Sequence, residues 1–381
     1  MSPQYFTLTP QDAWFFRDGR PYNRGESNQA DVESLFPPPA RTLTGAVRAA
    51  LARANGWNGQ RGSWPASVTE AFGSAPDDLG KVQFSGLFVI HGNEDGEEKA
   101  LWPIPRHLLG RFEAEKWKPK AFLVPGGEFQ TDQGKIKLPK ILSAEETHDG
   151  LKSDESAWIT ATGLAQILAD DLPSADAVFQ PEQLWRHETR VGLKRNEITH
   201  QVDEADLYSP SYVRLCRQVA LGFGLAGIPN GMNSLPTLFP LGGESRLAQC
   251  DLWNDNPLPK SPSADSFQSN AENHIEFAVI LITPGRFADA APLLHPNAKT
   301  LSACVGKPVS VGGWDSLANR PLPLEPFHPA GSVWFCEVPA EVFRQSIHCH
   351  HGGRIGDYSA HGFGQIVIGR CPRTLHSDQK T

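Results

Sequence analysis

At 381 residues the chain is long enough for two or three domains with sizeable cores, and 39% hydrophobic with 20% charged residues marks a globular rather than a disordered protein. The formal net charge of -8 excludes a uniformly basic nucleic-acid binder and leaves only a local surface to meet phosphate. Six cysteines without a C-x-x-C pair, and an opening without a charged segment leading into an apolar run, are expected of a cytoplasmic chain; no stretch approaches the roughly 18 apolar residues of a membrane span.

In chain order, Gln4 to Thr9 is predicted as a first strand. Phe36-Pro37-Pro38-Pro39 makes a stiff turn before Thr42 to Ala54, where Leu43, Ala46, Val47, Ala50 and Leu51 recur at helical spacing and Asn55-Gly56 ends the helix. Val82 to His91 and Ala100 to Ile104, joined across Gly92 to Gly96, read as a hairpin, which makes a split β-α-β opening. From about 108 to 185 the pattern loosens into an irregular insertion, with one helix predicted at Gly163 to Ala169. Residues 99 to 140 hold nine Lys or Arg against four acids, and residues 141 to 185 hold one Lys against nine acids. Such runs are solvated faces or a local phosphate surface. Order returns at Glu188, with strands expected at Tyr212 to Leu215, Val219 to Ile228, Ile275 to Thr283, Pro308 to Val311, Ser332 to Cys336 and Gln365 to Ile368. Helices are expected at Pro284 to Leu294 and Pro339 to Gln345. The fold class is α+β, divided into an N-terminal unit over 1 to 185 and a C-terminal unit over 186 to 381.

Gly222 to Gly227 spells G-x-G-x-x-G, but Ile228-Pro229-Asn230-Gly231 follows where a phosphate-binding helix must open, so these glycines relieve a strand. No G-x-x-x-x-G-K-[ST] loop supports NTP hydrolysis. His348-Cys349-His350-His351 offers ligand chemistry, yet a structural zinc site wants four ligands at set spacings; no metal and no cofactor are expected. The same histidines, or His361, are alternatively a general base for metal-independent RNA cleavage, although a polar loop is the expectation. In Trp14 to Arg20 the aromatics are read as core, and Arg17 and Arg20 as forks for phosphate or carboxylate. Leu241-Gly242-Gly243-Glu244-Ser245-Arg246 sets bare backbone N–H groups beside Arg246, held by Glu244. Arg41 and Arg48 sit near a helix start, where phosphate is favoured.

Taken in order, Asp12 to Gly25, Phe36 to Arg48, Trp102 to Pro105, Glu188 to Gly192 with Leu207-Tyr208, Gly242 to Arg246, Gly312 to Asp315, Pro329 to Val333 and Gly356 to Gly369 resemble the RAMP superfamily, in particular the third subunit of the Cmr module of type III-B CRISPR effector complexes. The resemblance implies two RRM-like (ferredoxin-like) units and a C-terminal glycine-rich loop. It also implies a role in antiviral defence, gripping the 5′ tag of the CRISPR guide RNA beside the large polymerase-like subunit and the first filament-forming RAMP subunit. It implies no nuclease activity, so no catalytic residue is assigned. Arg17, Arg20, Arg41, Arg190, Gly242, Gly243, Arg246, Gly362, Phe363 and Gly364 are expected around the tag, with Phe363 either stacking on a base or filling the core. Two alternatives stand beside this reading: a metal-independent endoribonuclease acting on repeat RNA, and a bridge between proteins without RNA contact.

Overall fold

Two antiparallel sheets with one shared strand order organise the chain. The computed structural model describes residues 3–17, 31–32, 34–60, 62, 64–132, 134–145, 147–193, 207–289, 291–292, 294–316 and 318–373. They fall into two compact units, one of Met1–Glu97, Glu182–Asp255 and Ser310–Glu325, the other of Glu98–Pro181, Asn256–Val309 and Pro326–Thr381. Each unit gathers three stretches of sequence, so the division differs from a linear one at 185/186. Strand pairing between distant segments is the reason.

In the first unit, the spatial order is Leu247–Trp253, Gln4–Pro10, Val219–Ala226, Gln83–Gly92, with Leu238–Pro240 outside the first of these. Numbered along the sequence, the four main strands lie 4-1-3-2, and each neighbouring pair is antiparallel. Alternation in the first strand sends Phe6 and Leu8 into the core. Val219–Ala226 is buried on both faces, and Gly222 and Gly224 make that possible. An added Cβ would stand 2.2 Å from the Phe88 ring and 2.0 Å from Ser85 Oγ. The G-x-G-x-x-G pattern is therefore a packing device inside a strand, as expected.

The first crossover is the helix Ala40–Ala54, whose Leu43, Val47, Ala50 and Leu51 are buried. The turn that leaves Gln83–Gly92 is pinned by Asn93, whose N–H donates to Glu97 O at 2.9 Å and whose side-chain oxygen accepts from Glu97 N at 2.8 Å. A smaller sheet pairs Trp185–Thr189 with Leu207–Leu215, and it carries the candidate site.

The second unit repeats the order. Lys299–Cys304, Val333–Pro339, His274–Leu281 and Ile366–Arg370 lie side by side, antiparallel throughout, which is 2-3-1-4 along this part of the sequence. Here the helical segment lies in the last crossover: Ala340–Val342 runs into a wider turn over Phe343–Ile347 and a tight one over His348–His350. Phe277, Val279, Trp334, Phe343, Ile347 and Ile368 fill the core between them. The helix expected at Pro284 to Leu294 is not formed among the described residues. Gly285 instead exchanges backbone hydrogen bonds with His328, and Pro284, Pro292 and Pro296 interrupt any helical ladder.

The stretch from 108 to 185 corrects a second expectation, because it is not irregular. Leu108–Glu113, Lys116–Thr131 and Gly134–Ser143 form an antiparallel meander. Trp158–Thr160 pairs with both Glu98–Pro103 and Val178–Phe179, and the helix Ala161–Leu168 follows, capped by Thr160, which accepts from Gly163 N at 3.0 Å. The meander escapes a hydrophobicity reading because lysines at 116, 118 and 120 flank the buried Trp117, and Ala121 and Phe122, adjacent in the strand, are both buried. Its prolines and glycines fall at register shifts, at Leu109/Gly110 and Pro125/Glu128, where bulges absorb them. The lysine-rich face is internally paired: Arg111, Lys118 and Lys120 all reach Glu113, and Arg111 and Lys120 also reach Glu145. Arg111 first, then Lys120 and Lys118, holds the Glu113 carboxyl down at about 2. No helix among the described residues is long and apolar enough to cross a membrane.

Candidate nucleic-acid interface

The site begins where the first strand ends. Trp14 and Phe16 are buried, as expected, and Trp14 exchanges backbone hydrogen bonds with Val213 at 2.9 and 2.8 Å. This ties the loop that carries Asp12 to the strand that carries Tyr212 and Arg214. From the other side comes the turn Leu241 to Arg246, where Gly243 N donates to Phe15 O at 2.8 Å. A Cβ at Gly242 would lie 2.6 Å from that same oxygen, and one at Gly243 would lie 2.7 Å from the Phe15 ring. Gly242 also has φ +84°, so it combines close approach with a left-handed backbone. The two glycines thus serve the packing that brings Arg246 to Asp12.

Four segments then meet through charge. The Asp12 carboxylate accepts Arg190 at 2.8 Å, Arg214 at 2.8 Å and Arg246 at 3.2 Å. Glu188 takes Arg190 at 2.7 Å and Arg214 at 2.6 Å. Glu188 stands opposite Tyr212 in the strand pair, and Tyr212 and Arg214, two apart, share a face. The Tyr212 ring has the Arg190 guanidinium 4.9 Å and the Arg246 guanidinium 4.6 Å from its centroid, with Phe15 at 5.5 Å on its flank. The Tyr212 hydroxyl donates to Glu244.

Arg190, then Arg214, holds the Asp12 carboxyl down at about 2, and Arg214 with Arg190 lowers Glu188. Those carboxylates in turn raise Arg190 and Arg214. Burial first, and the Glu244 bond next, raises the Tyr212 phenol. Three guanidinium groups balance Asp12, Glu188 and Glu244, so the platform is locally near neutral. Its side chains stay partly open, at 32% for Arg190, 45% for Arg214 and 25% for Arg246. Exposed ion pairs contribute little stability, about 0–1 kcal/mol each. They do hold planar, multi-donor groups in fixed orientations, which suits recognition of phosphate oxygens and base edges.

Of the expected tag-binding residues, the structure brings together Arg190, Gly242, Gly243 and Arg246. Arg17 follows on the same segment and is exposed, with its backbone bridged to Ser34. Arg20 lies outside the described residues. Arg41 is 8% exposed and reaches Asp77 at 3.0 Å and Glu325 at 3.4 Å, a partner set distinct from that of Arg190 and Arg246.

Gly362, Phe363 and Gly364 belong to the second unit and are buried. Thr283 Oγ1 donates to Gly362 O at 2.9 Å and accepts from Gln365 N at 2.9 Å, and Gly364 N donates to Pro284 O at 2.8 Å. A Cβ on Gly364 would stand 1.9 Å from Ile355 O. Phe363 is 1% exposed with its ring 4.8 Å from that of Phe327, so of the two roles open to it the structure has the core one.

No sequence motif marks Asp12, Glu188, Tyr212 and Arg214 as site residues. The signal for them is alternation: Glu188-x-Arg190 and Tyr212-x-Arg214 put like-facing polar groups on paired strands. Two histidines of the cluster, His348 and His351, are engaged in packing. His351 Nδ1 accepts from Ile368 N at 3.1 Å while Nε2 donates to Pro259 O at 3.0 Å, and burial lowers its pKa. His348 Nε2 lies 2.8 Å from Pro262 O. Among the described residues no group of three or more His, Cys, Asp or Glu is placed to hold a metal ion.

The family described as "CRISPR-associated protein (Cas_Cmr3)" matches residues 6–371. No curated protein matches the sequence. A chain in the cryo-EM structure of the type III-B Cmr-β bound to cognate target RNA is 14% identical, aligning over 87% of this chain and 86% of its own length at a TM-score of 0.46. In the same assembly with AMPPnP, state 1, a chain of 14% identity aligns over 90% and 88% at 0.47. A chain of the Csm3–Csm4 subcomplex of the type III-A CRISPR-Cas interference complex is 10% identical over 87% and 92%, at 0.38.

Proposed function

Because the chain belongs to the Cas_Cmr3 family of CRISPR-associated proteins, whose members are non-catalytic structural components, we propose that it is the RNA-gripping subunit of a type III-B effector complex in antiviral defence. It holds the 5′ tag of the guide RNA and anchors the large polymerase-like subunit and the first filament-forming RAMP subunit in the cytoplasm. The 4-1-3-2 antiparallel order in both units supports reading each as an RRM-like (ferredoxin-like) module, with one crossover helical and the other irregular. The observation that carries the RNA reading is the platform in which Arg190 and Arg246 share both the Asp12 carboxylate and the Tyr212 ring. A phosphate entering there competes with carboxylates for guanidinium groups that are already oriented, so little side-chain entropy is lost on binding. An overall charge of -8 is compatible with this, since one small surface meets RNA and others meet protein. Of the histidines that an endoribonuclease would call on, His351 is committed to Ile368 and Pro259, which leaves it no lone pair for a base.

Binding of a labelled guide RNA carrying its 5′ tag, measured by fluorescence anisotropy over a salt series, tests the proposal. Replacing Arg190 and Arg246 together by Ala is expected to weaken binding at least about tenfold and to flatten the log–log salt slope by about 0.7 for each phosphate no longer neutralised. Affinity and slope both unchanged would overturn the tag-gripping role of this platform.

A further inference from the structure

The first unit holds a cavity of about 620 Å³ that the arginine platform does not use, lined by Arg48, Trp57, Trp64 and Trp314 among others. Its size is that of a small-ligand site, in the range of roughly 300–1,000 Å³. Three indoles around one cavity are a large aromatic surface, and Trp314 is 56% exposed. Trp57 and Trp64 stand 5.7 Å apart between ring centroids at 46°, so their faces are splayed rather than stacked on one another. Each carries a guanidinium on one face, Arg53 at 5.1 Å over Trp57 and Arg48 at 5.4 Å over Trp64.

Arg48 is the decisive charge. Its side chain is buried, with 7% exposure, and its hydrogen bonds go to the neutral carbonyls of Phe72 at 2.6 Å and Ala75 at 3.1 Å. Among the described residues no carboxylate forms an ion pair with it. Asp78 is its source of negative field, but the Asp78 oxygens are taken by Ser74 and Gly80. Burial lowers Arg48 only to about 10, so it is cationic at neutral pH. A buried cation with no ion-pair partner on a cavity wall favours an anionic ligand there.

The helix itself keeps the cavity open. Gly45 lies inside Ala40–Ala54, three residues before Arg48 and on the same face, and it lines the cavity. Glycine is the poorest helix former after proline. No protein atom demands it here, since an added Cβ would have nothing within 4 Å and its backbone is that of the helix. The position has room for a side chain and lacks one.

We propose that this cavity binds one nucleotide of single-stranded RNA, the base lying against the indole faces and the phosphate directed to Arg48. Stacking serves any base because every base has a π face, and a guanidinium in the wall meets the backbone charge. The inference goes beyond the tag platform and stands on different residues. It needs only that RNA reaches this unit.

The test is titration of the full chain with adenosine 5′-monophosphate, read by tryptophan fluorescence, with adenosine, inorganic phosphate and a proline-rich peptide as parallel probes. The nucleotide is expected to quench saturably, adenosine to bind at least several-fold more weakly, and phosphate alone to leave the fluorescence unchanged. Gly45→Leu fills the space without asking the helix to strain; it should keep or raise the melting temperature while weakening the nucleotide by at least about tenfold. Trp314→Ala, at an exposed position, should weaken it by about five- to 150-fold, the equivalent of about 1–3 kcal/mol of stacking. A variant lacking Arg190 and Arg246 should retain the quenching. If that variant also retains full guide-RNA affinity, the platform reading fails and the cavity reading survives. Absence of saturable quenching in the wild type, equal binding by Gly45→Leu, or saturation by the peptide alone would each overturn the nucleotide site.

Discussion

The two units share one strand order and use it to opposite ends. In the first, Arg190, Arg214 and Arg246 gather beside the buried Tyr212 and stay partly exposed, while Arg48, on the helix Ala40–Ala54, is buried in the wall of a cavity lined by three indoles. In the second, the glycine-rich loop after Tyr358 folds inward, with Phe363 against Phe327 and both faces of the turn tied by Thr283. Strand order therefore does not fix what the side chains beyond the strands do, and glycine serves both outcomes, making room for Phe15 in one unit and for Ile355 in the other.

If this contrast is right, stability and binding should separate between the units. The largest effect belongs to the buried loop: Phe363→Ala is expected to cost about 3–5 kcal/mol in denaturant unfolding, the usual range for a core phenylalanine. A loss of guide-RNA affinity without that destabilisation would return Phe363 to the RNA surface and break the comparison. The acid limb of stability should come next, and from the second unit. His107 is wholly buried, its ring 5.4 Å from Phe122, and burial holds it at about 3 against an ordinary 6.5. Between those values the unfolded chain takes a proton that the folded chain refuses. Stability then falls as pH is lowered through the window, by at most about 1.4 kcal/mol per pH unit, and is unaffected above it. His107→Leu should flatten this limb in unfolding curves recorded from pH 7 to 4. Asp12, held at about 2 against 3.8, adds a loss only at lower pH, as its carboxylate is protonated away from Arg190 and Arg214. Smallest of all is Arg17→Ala. At an exposed position it should change unfolding stability by no more than about 0.5 kcal/mol, yet reduce the salt slope of RNA binding if it meets phosphate. A large stability loss there would show that the exposed end of the Trp14 to Arg17 segment is structural.

Where residues act through periodicity, the sequence is readable. Alternation locates three of the four main strands in each unit but not Leu247–Trp253 or Lys299–Cys304, helical spacing locates Ala40–Ala54, and the missing helix after Gly227 removes a dinucleotide reading that Phe88 and Ser85 explain in its place. Two segments mislead for opposite reasons. Pro284 to Leu294 has helical spacing but proline interruptions and a competing bridge to His328, whereas the lysine-rich meander hides its two-residue period in charges and places its prolines at bulges. The candidate site is half visible. Arg190, Gly242, Gly243 and Arg246 come from the ordered resemblance, while Asp12, Tyr212 and Arg214 become evident only as their neighbours.

What the sequence determined alone is the inventory: an α+β chain rich in short strands, without a phosphate loop, whose ordered anchors resemble the RAMP superfamily. The tertiary structure decided which of those residues meet. A carboxylate at position 12 and arginines at 190, 214 and 246 interact only because strands far apart in the chain pair in one unit, and pairing between distant segments leaves no local pattern to read. The same holds for the cavity, where a glycine in a helix looks like a simple weakness until the indoles from two other segments surround it.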